Sequence, residues 1–332
     1  MKFINTYIIL IGIFIVILPD SVGFAEQWHT FYWDALYCRS VIEENGVWQL
    51  ISTFFVQFLA TRWSAACLLA LPATVVSGVL LSVLQRLAKR YSLHVKPVVL
   101  TLVLSVLSIG TASVLTYLVT QDHETRFKGQ MCLVEDQNWE KIISQCKNRK
   151  VNNLLELNML NLSLAETGQL QKRLREQPCQ DVNSLFVLQI HSPYVAALLS
   201  DIYWSMGEIS MSQMYAFEAN EKMNNLSPRL LKRLVLTNIV FGYYEVAAKY
   251  LNWLDKTLFY HAWSAHYRQL LNDVAVNKDL ELRLKRACIP AQNVFPSAQS
   301  VIYDLEQILA TNPEHATSAE YLSAIKRLYS IK

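Results

Sequence analysis

The sequence predicts an all-α protein in which N-terminal transmembrane helices are followed by an α-solenoid of paired antiparallel helices. Apolar residues make up 52% of the chain and charged residues only 17%, whereas soluble domains carry about 25% charge. Residues 1–120 hold only 7 of the 30 basic and 5 of the 27 acidic residues. From residue 132 onward, apolar residues recur with a helical period and strand signals are missing. We therefore divide the chain into a membrane region, 1–121, and a helical-repeat domain, 122–332.

Three uncharged stretches predict membrane spans at about 3–19, 63–85 and 97–120. A spanning helix needs about 20 apolar residues, and the last two stretches exceed that length. The first is shorter, and the small residues behind it also fit a cleaved signal peptide. Both interpretations place the following residues outside the cytoplasm. Residues 46–61 are uncharged as well, with Trp48 near their start, which predicts an interfacial or re-entrant helix.

The loop between the second and third predicted spans sets the orientation. It reads RLAKRYSLHVK, with four positive charges and no negative one. Short loops rich in lysine and arginine stay in the cytoplasm, and Lys2 holds the start of the chain on the same side. We therefore expect a multi-pass protein of the cell inner (plasma) membrane, in contact with the lipid bilayer, whose N-terminus is cytoplasmic and whose C-terminal domain is extracytoplasmic (periplasmic).

Three glycines, Gly168, Gly207 and Gly242, mark the helix pairs of the C-terminal region, at spacings of 39 and 35 residues. Each follows an apolar helix and precedes a second helix. A period near 34 residues with a turn glycine, small residues and aromatics is typical of tetratricopeptide repeats. The sequence therefore predicts a tetratricopeptide-like solenoid, in which each glycine ends the first helix of a pair.

Other local signals mark further helix boundaries. Serine–proline pairs at 192–193 and 227–228 predict N-caps followed by proline at the first helical position. A further helix is predicted at 136–149, and a last pair at 297–311 and 314–329. Since such helices bury their apolar faces against one another, we expect the C-terminal region to fold without the membrane region.

Four stretches carry a resemblance to a known family. They read FFVQFLATRWSAACLLAL, LELNMLNLSLAETGQL, LLSDIYWSMGEISMSQMYAFEAN and SPRLLKRLVLTNIVFGYYEVAAKYLNWLDKTLFY. The chain resembles, from about residue 48 to 330, an uncharacterised inner-membrane protein family (a domain of unknown function) of Bacteroidota-type bacteria. The resemblance implies a helical C-terminal part behind membrane helices, of which this chain has fewer than its relatives. It implies no activity, because the family is uncharacterised.

No motif in the chain indicates a catalytic, cofactor or metal site. The GxSxG, Walker, GxGxxG and HExxH motifs are all missing, and a net charge of +3 gives no case for nucleic acid. Cys132 and Cys146 are close in sequence, so they form either a disulfide or two buried free thiols. Asp201 and Glu218 lie in neighbouring predicted helices. Either they face each other and act as a general acid and base, or each balances a nearby cation.

Arg229, Lys232 and Arg233 lie at positions i, i+3 and i+4 of one predicted helix and share a face. Aromatic residues concentrate in the same region, and aromatic pockets hold the anchor residues of binding partners. We interpret this face as a docking site for an acidic partner or for lipid headgroups. A solvated face with local ion pairs is the alternative.

The sequence thus predicts a membrane-anchored helical-repeat scaffold or docking module that meets a protein partner on the extracytoplasmic side. The alternative is a shortened component of a membrane enzyme or transporter that acts in envelope or glycan metabolism. That alternative assigns function to polar residues in or near lipid, namely Gln57, Arg62 and Thr101.

Overall fold

A computed structural model describes most of the chain. The described residues are 2–90, 123–147, 149–174, 181–188, 192–290 and 301–330. They form α-helices and short 3-10 helices, without a β-strand among them, which confirms the predicted all-α class. The predicted span at 97–120 lies outside the described residues.

The helices are numbered here in chain order. The first group is α1 (Lys2–Ile17), α2 (Phe24–Trp28), α3 (Ala35–Asn45), α4 (Val47–Val56), α5 (Arg62–Arg90), α6 (His123–Glu135), α7 (Trp139–Cys146), α8 (Leu154–Glu166) and α9 (Leu170–Arg173). The second group is α10 (Pro193–Ser205), α11 (Ile209–Lys222), α12 (Pro228–Phe241), α13 (Tyr244–Leu254), α14 (His261–Arg268), α15 (Asp273–Lys278), α16 (Leu280–Arg286), α17 (Val301–Thr311) and α18 (Ala316–Ser330).

The chain divides into two compact units. Unit 1 comprises Met1–Glu26 and Phe58–Gly129, and unit 2 comprises Gln27–Gln57 and Gln130–Lys332. This division differs from the predicted boundary at residue 121, because the segment 27–57 belongs with the C-terminal helices.

Specific contacts hold the segment 27–57 within unit 2. Tyr32 is fully buried, and its hydroxyl donates a hydrogen bond to the Leu226 carbonyl at 2.8 Å. Asp34 forms a 2.7 Å ion pair with Lys256. These partners lie about 200 residues away in the sequence, so local patterns gave no sign that the segment joins the C-terminal helices.

In unit 1, α1 packs against α5. The Tyr7 hydroxyl donates to the Cys67 carbonyl at 3.1 Å, and Arg62 pairs with Asp20. The predicted spans at 3–19 and 63–85 fall on these two helices. Within the described part of the chain, no helix by itself has both the length and the apolar composition to cross a membrane; a single bent pair, Tyr7–Ile17 with Asp20–Trp28 at 97°, meets both criteria when taken together.

In unit 2, α10 packs against α11, α12 packs against α13, and α11 contacts α12. Gly207 and Gly242 follow the first helix of each pair with φ of 79° and 80°. Behind each glycine, the next N–H bonds back five residues, from Glu208 to the Tyr203 carbonyl and from Tyr243 to the Asn238 carbonyl. This is the hydrogen-bond pattern of a helix that ends on a left-handed residue, so both predicted helix ends are confirmed.

The other boundary signals behave similarly. Ser192 caps α10 by accepting a hydrogen bond from the Val195 N–H, with proline at the first turn. Ser227 precedes α12, but its hydroxyl donates instead to the Gln27 carbonyl at 3.0 Å, which ties α12 to the N-terminal segment. The helices predicted at 136–149, 297–311 and 314–329 correspond to α7, α17 and α18.

Candidate docking site

The three basic residues predicted as a docking face all lie on α12, but Arg229 is buried. One Arg229 Nη donates to Asp201 Oδ2 at 2.6 Å, and the other donates to Gln27 Oε1 and to the Met131 carbonyl, both at 2.8 Å. The side chain is only 2% exposed. Arg229 therefore holds unit 2 together, and it is the most buried member of the predicted face.

Lys232 and Arg233 lie closer to the surface of unit 2 and use the same two carboxylates. Lys232 pairs with Glu135, which also lies 3.5 Å from Arg229 Nε. Arg233 Nη2 donates to Asp201 Oδ1 at 2.8 Å. Asp201 and Glu135 thus each bridge two cations. Local ion pairs are what the alternative interpretation predicts, but these pairs are mostly buried instead of solvated.

The charges of this cluster stabilise one another. Burial disfavours ionisation of Glu135, but Lys232, Arg229 and Arg233 outweigh that effect and lower the pKa of Glu135 from 4.5 to about 2. Burial likewise opposes the charge of Arg229, yet Asp201 and Glu135 raise its pKa. Each buried ion therefore remains charged because of its partners.

A pocket of about 140 Å³ opens beside this cluster. The Arg233 guanidinium stacks over the Trp204 ring at 4.6 Å, and Lys232 lies within 6 Å of the Trp263 ring centre. Arg233 Nε has no hydrogen-bond partner among the described residues. We call this the Arg233 pocket; it is lined by Glu135, Gln137, Trp204, Arg229, Lys232, Arg233, Leu236, Trp263, Tyr267 and Glu281.

The Arg233 pocket suits one protruding side chain better than a broad surface. A guanidinium is a planar fork of N–H donors that matches the geometry of a carboxylate. The aromatic walls would shield such a contact from water and so strengthen it. The arrangement can bind a carboxylate, and its tight ion pairing offers no residue that is placed as a nucleophile or base.

The structure also locates the other sequence-predicted candidates. Asp201 pairs with arginines and Glu218 pairs with Lys222 at 2.6 Å, so these two carboxylates balance cations instead of facing each other. Cys132 and Cys146 are buried and are not joined by a disulfide. Among the described residues, no group of three or more potential ligands could hold a metal ion.

The polar residues assigned to the enzyme alternative have structural partners where they are described. Gln57 is fully buried and donates to the Phe54 carbonyl at 2.8 Å, and Arg62 pairs with Asp20. Thr101 lies outside the described residues.

Sequence reasoning missed several residues that line the Arg233 pocket, namely Glu135, Gln137, Tyr267 and Glu281. Glu135 lies at the end of α6, far before α12 in the chain. Tyr267 and Glu281 lie 34 and 48 residues after Arg233 in the sequence, on α14 and α16. No local spacing links them, because the pocket forms only where these helices meet.

Comparison with protein-family models matches the chain, over residues 103–328, to a family of unknown function (DUF6057). The match covers more than half of the chain. The protein belongs to the DUF6057 family. No curated protein and no solved structure shows a significant match. The DUF6057 match confirms the predicted resemblance to an uncharacterised family.

Proposed function

We propose that this DUF6057 protein is a membrane-anchored docking module of the inner membrane. In this proposal, unit 1 lies in the lipid bilayer, and the helix pairs of unit 2 form a tetratricopeptide-like solenoid on the extracytoplasmic side. Unit 2 binds an acidic side chain of a protein partner in the Arg233 pocket. The observation that carries the docking role is that Arg233, whose guanidinium lies over the Trp204 ring, lines a pocket together with Lys232.

Exposed apolar side chains on unit 1 support the membrane role. In water such a surface would favour aggregation, whereas lipid would cover it at no cost in hydration. The exposed set on α1 and α5 includes Ile4, Ile8, Ile9, Val16, Trp63, Leu71, Val75 and Val79.

A photo-crosslinking amino acid placed at Leu236, inside the Arg233 pocket, tests the docking role in native membranes. We expect a discrete protein adduct from position 236 that is lost with Arg233→Gln and retained with Glu218→Gln, which changes a half-buried carboxylate on α11 outside the pocket. The same crosslinker at Phe217, which is exposed on α11, serves as the control position. An adduct that persists in Arg233→Gln, or equal adducts at 217 and 236, would disprove the docking site.

A pair of C-terminal fusions tests the membrane topology. With the basic loop 86–96 in the cytoplasm, a C-terminal alkaline phosphatase should be active and a C-terminal GFP should be dark, because GFP exported by this route does not fluoresce. The opposite pattern would invert the proposed orientation.

A further inference from the structure

Helix α4 packs one side against unit 2. Leu50 and Phe54 contact its hydrophobic core, and Thr53 is buried. At 100° per residue, these three positions share one side of the helix. The Thr53 hydroxyl is satisfied within the helix, by the Gln49 and Leu50 carbonyls. Unit 2 therefore fixes the rotation of α4 about its axis.

A second side of α4, next to the packed one, is apolar and exposed. Val47, Trp48, Ile51 and Phe55 lie within an arc of about 100°, and they are 54%, 81%, 40% and 50% exposed. Single exposed apolar residues are ordinary, but a contiguous patch marks an interaction surface. Trp33 is also exposed, and its ring packs on Phe54 at 6.1 Å.

The chain around α4 indicates what covers this face. Residues 45–61 carry no charge, so nothing on the helix itself selects a charged protein surface. Only residues 57–61 separate α4 from α5, and a chain of that length spans at most about 20 Å. A bilayer that holds the uncharged stretch 63–85 therefore lies within reach of α4. Tryptophan is enriched at that boundary, where its ring is apolar and its N–H meets water.

We propose that the face formed by Val47, Trp48, Ile51 and Phe55 rests in the headgroup region of the bilayer and mounts unit 2 on the membrane surface. The inference rests on the membrane anchor of the proposed function and adds a second lipid contact, made by unit 2 itself. Because the other side of α4 is packed into the core, this contact also determines which side of unit 2 faces the membrane.

Single-cysteine variants of the full chain test this contact. Ile51→Cys lies on the proposed lipid face, and Gln49→Cys is exposed on the flank of the same helix and serves as the matched control. Val75→Cys, exposed on α5, reports the membrane anchor separately. Each variant, with the native cysteines replaced and the helical circular dichroism retained, is labelled with the fluorophore NBD and reconstituted into phosphatidylethanolamine–phosphatidylglycerol vesicles.

We expect NBD at position 51 to be quenched by lipids carrying a nitroxide near the headgroup and to lose its quenching by aqueous iodide. NBD at position 49 should keep its iodide quenching. Equal iodide quenching at 49 and 51 would overturn the proposal, and so would protection of position 51 from both quenchers, since protein would then cover the face. Lipid quenching at 75 without lipid quenching at 51 would overturn only this inference, whereas iodide quenching at 75 would overturn the membrane anchor.

Discussion

Gly207 and Gly242 share one backbone conformation but have different surroundings. Both have φ near 80°, which costs a residue with a Cβ about 1 kcal/mol or more. At Gly242 an added Cβ would meet nothing within 4 Å. At Gly207 it would lie 2.9 Å from Cys288 Sγ and 3.1 Å from Cys288 Cβ, and Cys288 is fully buried.

We therefore predict that Gly242→Ala lowers the free energy of unfolding by about 1 kcal/mol. Gly207→Ala should lower it by roughly 1–3 kcal/mol more, because the added methyl group overpacks the site. The measurement is the thermal midpoint of the full chain in detergent. Lys222→Ala on the surface should cost less than about 0.5 kcal/mol.

A double variant controls for the steric cause. In a Cys288→Ala background the Sγ atom is gone, so Gly207→Ala should lose part of its extra cost. If Gly207→Ala and Gly242→Ala lower the thermal midpoint equally in the native background, the Cys288 side chain moves aside at little cost in free energy.

At the scale of helices, a buried carboxylate lies where the α10–α11 turn meets α17. Burial and the negative charge of Asp304 raise the pKa of Glu208 from 4.5 to about 7. Between pH 4.5 and about pH 7, Glu208 is therefore protonated in the folded protein and ionised in the unfolded chain. Stability from this group is complete below pH 4.5, falls as the pH rises, and is lost above about pH 7.

Glu208→Gln removes this pH dependence, because an amide does not titrate. We predict that the thermal midpoint of the variant, relative to the native protein, rises with pH between about 4.5 and 7 and is flat above that range. Buried groups that do not interact with Glu208 drop out of this difference, including His315, whose pKa burial lowers to about 4. Glu245→Gln, at an exposed position on α13, is the matched carboxylate-to-amide control. A relative midpoint for Glu208→Gln that does not change with pH would contradict the assignment.

At the scale of the whole molecule, the segment 27–57 is part of the C-terminal unit. Without it, Arg229 loses its Gln27 partner, Lys256 loses Asp34, and the site that buries Tyr32 opens to water. We therefore expect the C-terminal region to reach its full stability only together with the segment 27–57.

We predict that residues 130–332 alone melt at a lower temperature than the same residues joined to 27–57 by a long flexible linker. Circular dichroism should show helix in both, and a hydrophobic dye should bind more strongly to the shorter fragment. A linked version with Tyr32→Ala and Asp34→Ala separates the specific contacts from the mere presence of extra chain. Equal midpoints for all three proteins would show that the segment contributes nothing to unit 2.

Local chemistry determined what the sequence could reveal by itself. The helical class, the left-handed glycines at 207 and 242 and the capping serine at 192 follow from the conformational preferences of a few adjacent residues. The unequal distribution of charge, which is also readable along the chain, predicts the two-part organisation but not its boundary.

Only the tertiary structure decided which distant residues meet. Arg229 and Arg233 read as neighbours on an exposed helix face, yet Arg229 is buried and both line one pocket, because Asp201 and Glu135 arrive from other helices. The segment 27–57 joins unit 2 for the same reason, since Tyr32 and Asp34 find partners about 200 residues away. Ion pairs and buried aromatic contacts depend on distance in space, and a sequence pattern encodes distance only over the few residues of one element.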